Sequence, residues 1–394
     1  MIAYFSSLNP TALLNSAPGG IAQGLIWGIM ALGIYLTFRV LNIADMTCDG
    51  SFALGGCVGV ILIVNGWSPE LVLLVSFAAG ILAGLVTGFL STVLGIPDIL
   101  AGILTQISLY SINLNILGKS NQTIPVTKVT LLITSNINYL TRTILITLAI
   151  DAVIIVIYYW FMGTELGSAI RATGINPHMS RAQGINTNRT KVLALAIGNG
   201  LIALSGGILA EYQGFADVKM GQGAIVIGLA AVIIGEVLGA AFLGKHQNFL
   251  SKLIFTVIGG VIYYLVYVFV IWLKFPTDDM KLLTAIVVAI FLAVPNLQAS
   301  RQTSFRALAK RNKALESAGA AGTDRVSAGS AAQSPAPERS SAADAKKSAD
   351  AGTGTKEAVG SGPDAAESVD SGIEAKRPDA AGTAGSGTQG REVP

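Results

Sequence analysis

Acidic side chains inside or beside strongly apolar segments are the residues of this chain best suited to chemistry. Asp151 and Glu236 are the most enclosed of them. An ionised carboxylate is costly in hydrocarbon, so each should pair with a cation or face a watery cavity. Two alternatives follow for this pair of acids. They form structural ion pairs, for example with Arg39 or Arg142, or they line a solute path and relay protons.

Two further acids, Asp45 and Asp49, stand where an apolar segment begins. A carboxylate there can simply cap the helix, because the N-terminus carries partial positive charge. The alternative is again a place on a solute path. The candidate path residues are therefore Asn42, Asp45, Asp49, Asp151 and Glu236.

No residues of an ATP-hydrolysing or other catalytic site are apparent. Gly118-Lys119-Ser120 resembles the end of a phosphate-binding loop, but Asn113 stands where that motif requires glycine. Cys48 and Cys57 belong to one apolar segment and lack the further ligands that zinc needs. We therefore expect no catalytic residue, no metal and no cofactor, and any ATP hydrolysis should come from another chain.

Composition indicates a membrane protein. The chain is 52% hydrophobic and 12% charged, against about 25% charged in soluble domains. Residues 1–298 hold 13 of the 26 Lys and Arg and 11 of the 23 Asp and Glu. A net charge of +3 gives no support for a nucleic-acid partner.

The apolar segments predict an all-α, polytopic transmembrane bundle of about nine spans over residues 20–298. A span needs about 20 mostly apolar residues. Residues 1–19 should form an extracytoplasmic segment, and 299–394 a disordered cytoplasmic tail, because that tail has too little apolar surface to offset its ordering entropy. The second and fourth spans are rich in small and polar residues, and either can be broken or re-entrant. The nine segments are 20–38, 47–65, 70–94, 98–118, 143–162, 191–211, 222–243, 253–273 and 281–297.

One long basic loop, 163–190, sets the predicted orientation. From Gly163 to Lys191 there are four cations and a single acid, Glu165. Positive loops stay in the cytoplasm, so nine spans place the N-terminus outside and the C-terminus inside. The loop 119–142, which falls outside, carries three cations and no acid and runs against this rule.

The same loop should be folded into two short helices. Gly174 can end the first in the left-handed conformation. Asn176 can cap the second, with Pro177 at its first position. Two helices joined by a tight turn make a docking surface.

Glycines four residues apart recur in the spans, as in Gly24/Gly28, Gly55/Gly59 and Gly80/Gly84/Gly88. Small residues allow helices to approach closely within a membrane. The pairs indicate either packing within the chain or a seam between two copies.

Three stretches resemble the inner-membrane permease subunits of ATP-binding cassette (ABC) importers, in the family that contains branched-chain amino acid and ribose-type sugar permeases. The first is Leu41–Asp45 with Asp49–Gly56, the second Gly167–Pro177 with Ser180–Asn186, and the third Gly223–Glu236. The resemblance covers about residues 20–298, and its second stretch is the most specific.

The resemblance implies a multi-pass protein of the bacterial inner membrane, in contact with membrane lipid, and a set of partners. ATPase subunits would receive the cytoplasmic coupling loop 163–190, an extracytoplasmic solute-binding protein would deliver solute, and a second permease copy would complete the path. The residues that match the coupling loop are Gly167, Arg171, Gly174, Asn176, Pro177, Arg181 and Gly184.

The solute is the open question. Asp45–Gly56 and the hairpin Pro276–Lys281 look most like a subgroup of amino acid permeases, some of them linked to tryptophan or other aromatic amino acids. A sugar or nucleoside is the alternative within the family. An ion-coupled secondary transporter, with Asp151 and Glu236 as its coupling acids, is the alternative outside it.

Overall fold

The computed structural model describes residues 10–125, 131–134, 139–244 and 247–273, and four single positions beyond them (Leu282, Ile286, Ala289 and Ala293). Over these residues the chain is a helical bundle with one two-stranded sheet. The segment 1–9, the hairpin Pro276–Lys281 and the tail 299–394 lie outside the described residues, and so does the ninth predicted span apart from those four positions.

The described helices and strands follow one another in this order: α1 (Pro10–Ile34), continued by a π-helical turn (Tyr35–Val40), α2 (Cys48–Val64), α3 (Pro69–Thr92), α4 (Asp98–Leu117), β1 (Asn121–Thr123), α5 (Leu140–Gly163), α6 (Glu165–Ile175), α7 (Pro177–Ala182), α8 (Thr187–Gln213), β2 (Phe215–Asp217), α9 (Ala224–Leu243) and α10 (Phe249–Trp272).

Seven helices of the described part are long and apolar enough to cross a membrane, and α2 is a shorter apolar helix beside them. The predicted helical membrane bundle is confirmed, whereas the count of nine spans is not. The first span starts earlier than predicted, because the helix begins at Pro10 rather than near residue 20. The predicted fourth span is one continuous helix, α4.

Helices α1 and α8 form the inside of the bundle. The apolar stretches of α1 and α8 are 83% and 78% buried, against 22% for α5 at the periphery. Glycines make this packing possible. A Cβ on Gly80 would lie 2.3 Å from the Asn199 carbonyl oxygen, and one on Gly84 equally close to that of Leu195. Gly24 and Gly55 meet other helices of the same chain in the same way. These glycine pairs therefore serve packing within the chain.

Contacts between helix ends define two opposite faces of the bundle. We call loop face the one where α6 lies against Val40, and where Lys191 pairs with Asp98. We call hairpin face the one where β1 pairs antiparallel with β2. The loops after α4 and α8 therefore meet at the face opposite α6 and α7.

The chain re-enters the bundle between the first two spans. After the π-helical turn, residues 41–47 run without regular structure, and α2 starts only at Cys48. Thr47 is buried and its hydroxyl lies 2.8 Å from that of Thr87 on α3. Irregular backbone is tolerated at such depth where protein covers it, as here. The irregular backbone thus precedes the predicted second span, in which α2 is one continuous helix from Cys48 to Val64.

Candidate functional site

The elbow formed by α6 and α7 is built by side-chain caps at both helix starts. The Thr164 hydroxyl accepts a hydrogen bond from the Gly167 N–H at 3.3 Å. The Asn176 side chain accepts one from the Met179 N–H at 3.1 Å, and Pro177 is the first residue of α7. Such caps satisfy N–H groups that have no partner within the helix. The predicted two-helix loop, with Asn176 and Pro177 in these places, is confirmed.

Glycine is required at position 174 for a different reason from the one predicted. It lies inside α6, which ends at Ile175, and its φ is not positive. A Cβ at this position would stand 1.9 Å from the Val40 carbonyl oxygen. The residue is therefore glycine because the elbow touches the end of the first span, and the predicted left-handed helix end was wrong.

Two more glycines shape the elbow. A Cβ on Gly167 would lie 2.4 Å from the Phe161 carbonyl oxygen, so this residue lets α6 fold tightly against the end of α5. Gly184 has a φ of +83°, a conformation that glycine adopts without steric cost. It turns the chain from α7 towards α8.

The elbow presents apolar side chains that the sequence analysis did not single out. Ile175 is 85% exposed and Met179 is 61% exposed, on the same elbow as the two arginines. Large apolar side chains exposed together make a candidate interaction surface. Their position in an otherwise polar and basic loop is the sequence feature that could have identified them.

The cations of this region have separate roles. Arg171 donates to the Ser168 hydroxyl at 3.2 Å, and the Arg181 Nε donates to the Thr187 hydroxyl at 2.7 Å. Neither pairs with an acid among the described residues. Lys191 does, forming an ion pair with Asp98 at the start of α4. The two arginines thus leave positive charge at the elbow surface.

A pocket of about 350 Å³ lies between the elbow and the re-entrant segment 41–47. Asn42 lines it together with Gly174 and Pro177, and Asn42 has a φ of +59°. Asparagine tolerates this left-handed conformation better than most residues. The structure thus places Asn42 at the loop face, in the same re-entrant segment as Asp45.

Asp45 is the centre of a closed hydrogen-bond network. It is 3% exposed. One carboxylate oxygen accepts from the Thr47 N–H at 2.9 Å, and the other from the Asn199 amide of α8 at 2.6 Å. The Asn199 carbonyl in turn accepts from the Ser51 hydroxyl at 2.7 Å. The network ties the re-entrant segment and the start of α2 to α8.

Asp49 caps a helix, but not its own. Its two carboxylate oxygens accept from the Gly223 N–H at 3.0 Å and the Ile225 N–H at 2.9 Å, at the start of α9. Gly223 offers no side chain for this task. The prediction of a capping role is correct in kind and wrong in the helix that is capped.

Glu236 forms an ion pair with Arg39, as one of the predicted alternatives stated. The pair joins α9 to the π-helical turn at the loop face.

Asp151 forms no ion pair among the described residues. It is 1% exposed, and neither of its oxygens has a hydrogen-bond partner among the described residues. The expected pairing of Asp151 with Arg39 or Arg142 is therefore wrong.

A further buried acid binds the backbone of the loop between α4 and α5. Glu211, at the end of α8, accepts from the backbone N–H groups of Leu132 and Ile133. It thereby holds residues 131–134 against the bundle at the hairpin face.

Among the described residues the structure offers no group of three or more acidic, histidine or cysteine side chains that can hold a metal ion. The two cysteines are free and buried in α2. What the site provides is a basic, partly apolar elbow in contact with the re-entrant segment. Of the five path candidates, Asn42, Asp45 and Asp49 follow one another along the chain, whereas Asp151 lies on α5 and Glu236 on α9.

Comparison with known proteins identifies the family. The family model described as "Branched-chain amino acid transport system / permease component" matches residues 17–294. A tyrosine transport system permease protein of Clostridioides difficile (strain R20291) is 38% identical over 297 residues, which are 75% of this chain and 97% of that protein.

More distant similarities point to sugar permeases and to one solved structure. The galactofuranose transporter permease protein YtfT of Escherichia coli (strain K12) is 26% identical over 68% of this chain and 75% of that protein. The structure of PsaBC from Streptococcus pneumoniae in complex with Fab has a TM-score of 0.42 and 17% identity, covering 74% of this chain and 95% of that chain. The chain belongs to the family of branched-chain amino acid transport system permease components and is a multi-pass membrane permease of an ABC transporter.

Proposed function

We propose that this chain is the membrane subunit of an ABC importer that moves an amino acid into the cell, and that separate ATPase subunits dock on the α6–α7 elbow. One observation carries the proposal. The elbow exposes Ile175 and Met179 and at the same time packs through Gly174 onto Val40, at the end of the first span. A partner that binds the exposed side of the elbow is therefore in mechanical contact with the first membrane-spanning helix.

The contacts made by the residues around Val40 connect a displacement of the elbow to other helices. The π-helical turn that ends at Val40 carries Arg39, which is paired with Glu236 on α9. The segment that follows carries Asp45, bonded to Asn199 at 2.6 Å on α8. A shift of the elbow thus reaches α8 and α9 together. Single π-helical turns are frequent at functional sites.

The orientation follows from the distribution of charge. Among the described residues, six cations lie at or near the loop face and three near the hairpin face. Because cytoplasmic loops retain Lys and Arg, the loop face is cytoplasmic and the start of α1 is extracytoplasmic. The six are Arg39, Arg171, Arg181, Arg189, Lys191 and Lys252, and the three are Lys119, Arg142 and Lys219.

The proposed partners are assigned to the two faces on this orientation. ATPase subunits bind the cytoplasmic loop face of the bacterial inner membrane, and an extracytoplasmic binding protein delivers solute at the hairpin face. A second permease copy completes the translocation path. The tail 299–394 lies in the cytoplasm and is dispensable for uptake.

An amino acid is the proposed solute because the tyrosine permease matches this chain at 38% identity, against 26% for the galactofuranose permease. A sugar is the second candidate, supported by the sugar permeases among the relatives. The unpartnered Asp151 is the observation that favours ion coupling, and the uptake experiment below tests that mechanism as well.

The proposal is tested by uptake in proteoliposomes that contain the permease, its ATPase and its binding protein. We expect uptake of labelled tyrosine to require ATP inside and to persist without an ion gradient. Galactose uptake under the same conditions would support the sugar alternative. Uptake driven by a proton or sodium gradient in the absence of the ATPase would contradict the proposal.

A further inference from the structure

A second pocket, of about 370 Å³, lies at the hairpin face, and three of its eight lining residues are aromatic. Trp27 and Tyr264 are buried in it, and Phe215 is 36% exposed beside it. The Trp27 ring stacks on Phe52 with centroids 4.9 Å apart and lies 5.6 Å from the Tyr264 ring. The α1 and α10 helices thus supply a rigid aromatic floor.

The rim of this pocket carries one acid and one base, Asp217 and Lys219. Side chains two apart on a strand point to the same side, so Asp217 and Phe215 on β2 share one side of that strand. Pairing of β2 with β1 fixes it in place, and the Asp217 carboxylate accepts from the Lys219 N–H at 2.7 Å. The rim therefore holds two opposite charges in a defined turn.

One polar group beside the pocket is unsatisfied. The Trp27 indole nitrogen is closed off from solvent and has no hydrogen-bond partner among the described residues. A buried donor without an acceptor is uncommon and calls for an explanation. The indole N–H lies in the plane of the ring, so an acceptor must approach the edge of Trp27 rather than its face.

We propose that this pocket is the first site on the permease for an aromatic amino acid handed over at the hairpin face. The inference rests on the proposed amino acid function and deepens it by naming a site. The ring of the solute stacks on Trp27, Phe215 and Tyr264, its ammonium group faces Asp217, and its carboxylate faces Lys219. A volume near the lower end of ligand sites, about 300–1,000 Å³, suits a single amino acid.

A sugar would use this pocket differently. It can stack on aromatic rings, but it has neither an ammonium group nor a carboxylate for the two charges of the rim. Amino acids and sugars are therefore separated by their response to changes at Asp217 and Lys219.

The test is ligand-observed NMR on the full-length permease in lipid nanodiscs, with L-tyrosine and galactose as probes. We expect tyrosine to bind, Phe215→Ala to weaken it about tenfold, the size of a lost aromatic pair, and Asp217→Asn and Lys219→Gln to weaken it similarly. Asp217→Asn keeps an oxygen for the Lys219 N–H and so preserves the turn. Phe269→Ala is the matched control, because Phe269 is 45% exposed on α10 and does not line the pocket.

The outcomes separate this site from the proposed function. If tyrosine binds the wild type and both rim variants equally, or does not bind the permease at all, the pocket is not the site, even where ATP-driven tyrosine uptake persists. If galactose binds and depends on Phe215 while tyrosine does not bind, both the site's solute class and the proposed amino acid function are overturned.

Discussion

The re-entrant segment 41–47 and the peripheral helix α5 each bury one carboxylate, and they do so in opposite ways. Asp45 is 3% exposed and is bonded by a backbone N–H and the Asn199 amide. Asp151 is 1% exposed and has no partner among the described residues. Burying a charge is costly unless hydrogen bonds compensate it. Two equally buried carboxylates of this bundle therefore differ in whether hydrogen bonds compensate their burial.

The surroundings differ as much as the acids. Asp45 lies where α2, α3 and α8 meet, close to the elbow that packs on Val40. Asp151 shares the buried face of α5 with Thr143, Thr147 and Tyr158, and only 22% of the α5 window is buried. The first site links elements that would move together, whereas the second lies in a helix at the edge.

The largest effect should come from Asn199→Leu. It removes the amide that donates to Asp45 and accepts from Ser51, leaving a buried carboxylate under-satisfied. We expect the free energy of unfolding to fall by about 3 kcal/mol and uptake to be lost. Thermal unfolding of the purified protein measures this. A variant as stable as the wild type would show that the network is not structural.

Gly174→Ala should come next. The added Cβ would overlap the Val40 carbonyl oxygen, so the elbow must move off the first span. Forced repacking of this kind costs about 1–3 kcal/mol. Because the cost falls on the contact that couples the elbow to the first span, we expect roughly a 5- to 150-fold loss of ATP-driven uptake. ATPase activity of the assembled complex should fall less than uptake, since the exposed side of the elbow is unchanged.

Gly163→Ala is the matched control for that variant. A Cβ on Gly163 meets nothing within 4 Å, and the residue lies at the end of α5, next to the elbow. Its uptake should equal that of the wild type. Equal losses in both variants would mean that the region, rather than the contact with Val40, is sensitive.

Asp49→Ala should have a smaller effect. It removes the cap of α9 and leaves the Gly223 and Ile225 N–H groups without that partner. The loss of a cap costs about 1 kcal/mol. Hydrogen exchange at residues 223–227 should quicken, and Asp49→Asn should restore part of the protection. Unchanged exchange in Asp49→Ala would contradict the capping role.

Asp151→Leu should have the smallest effect. An apolar side chain of similar size replaces a buried carboxylate that lacks donors, so stability should stay the same or rise by about 1 kcal/mol. Tyrosine uptake should be retained. Loss of uptake without loss of stability would place Asp151 on the solute path and reverse the comparison with Asp45.

The elbow was predictable from sequence because its determinants are local. Asn176 and Pro177 form a helix start within three residues, and Gly163–Lys191 contains the whole basic loop, although α8 already begins at Thr187. The reason for Gly174 was not predictable, because its neighbour Val40 is more than a hundred residues earlier.

Polar contacts between residues far apart in the sequence were likewise not predictable. Asp49 caps a helix that starts near residue 223, and Asp45 bonds to Asn199. No spacing rule connects such positions. The pairing of Arg39 with Glu236 was named only as one alternative, because a sequence shows that a buried acid needs a partner and not which partner it finds.

The central claim is that the α6–α7 elbow is the cytoplasmic docking surface for an ATPase. Ile175→Cys tests it most directly, because both native cysteines are buried and Ile175 is 85% exposed. In cells, a membrane-impermeant thiol reagent should not label this cysteine from outside. In inside-out vesicles it should be labelled, and it should cross-link to the ATPase subunit when the complex is assembled. Labelling from outside in intact cells, or no cross-link in an active complex, would contradict the account.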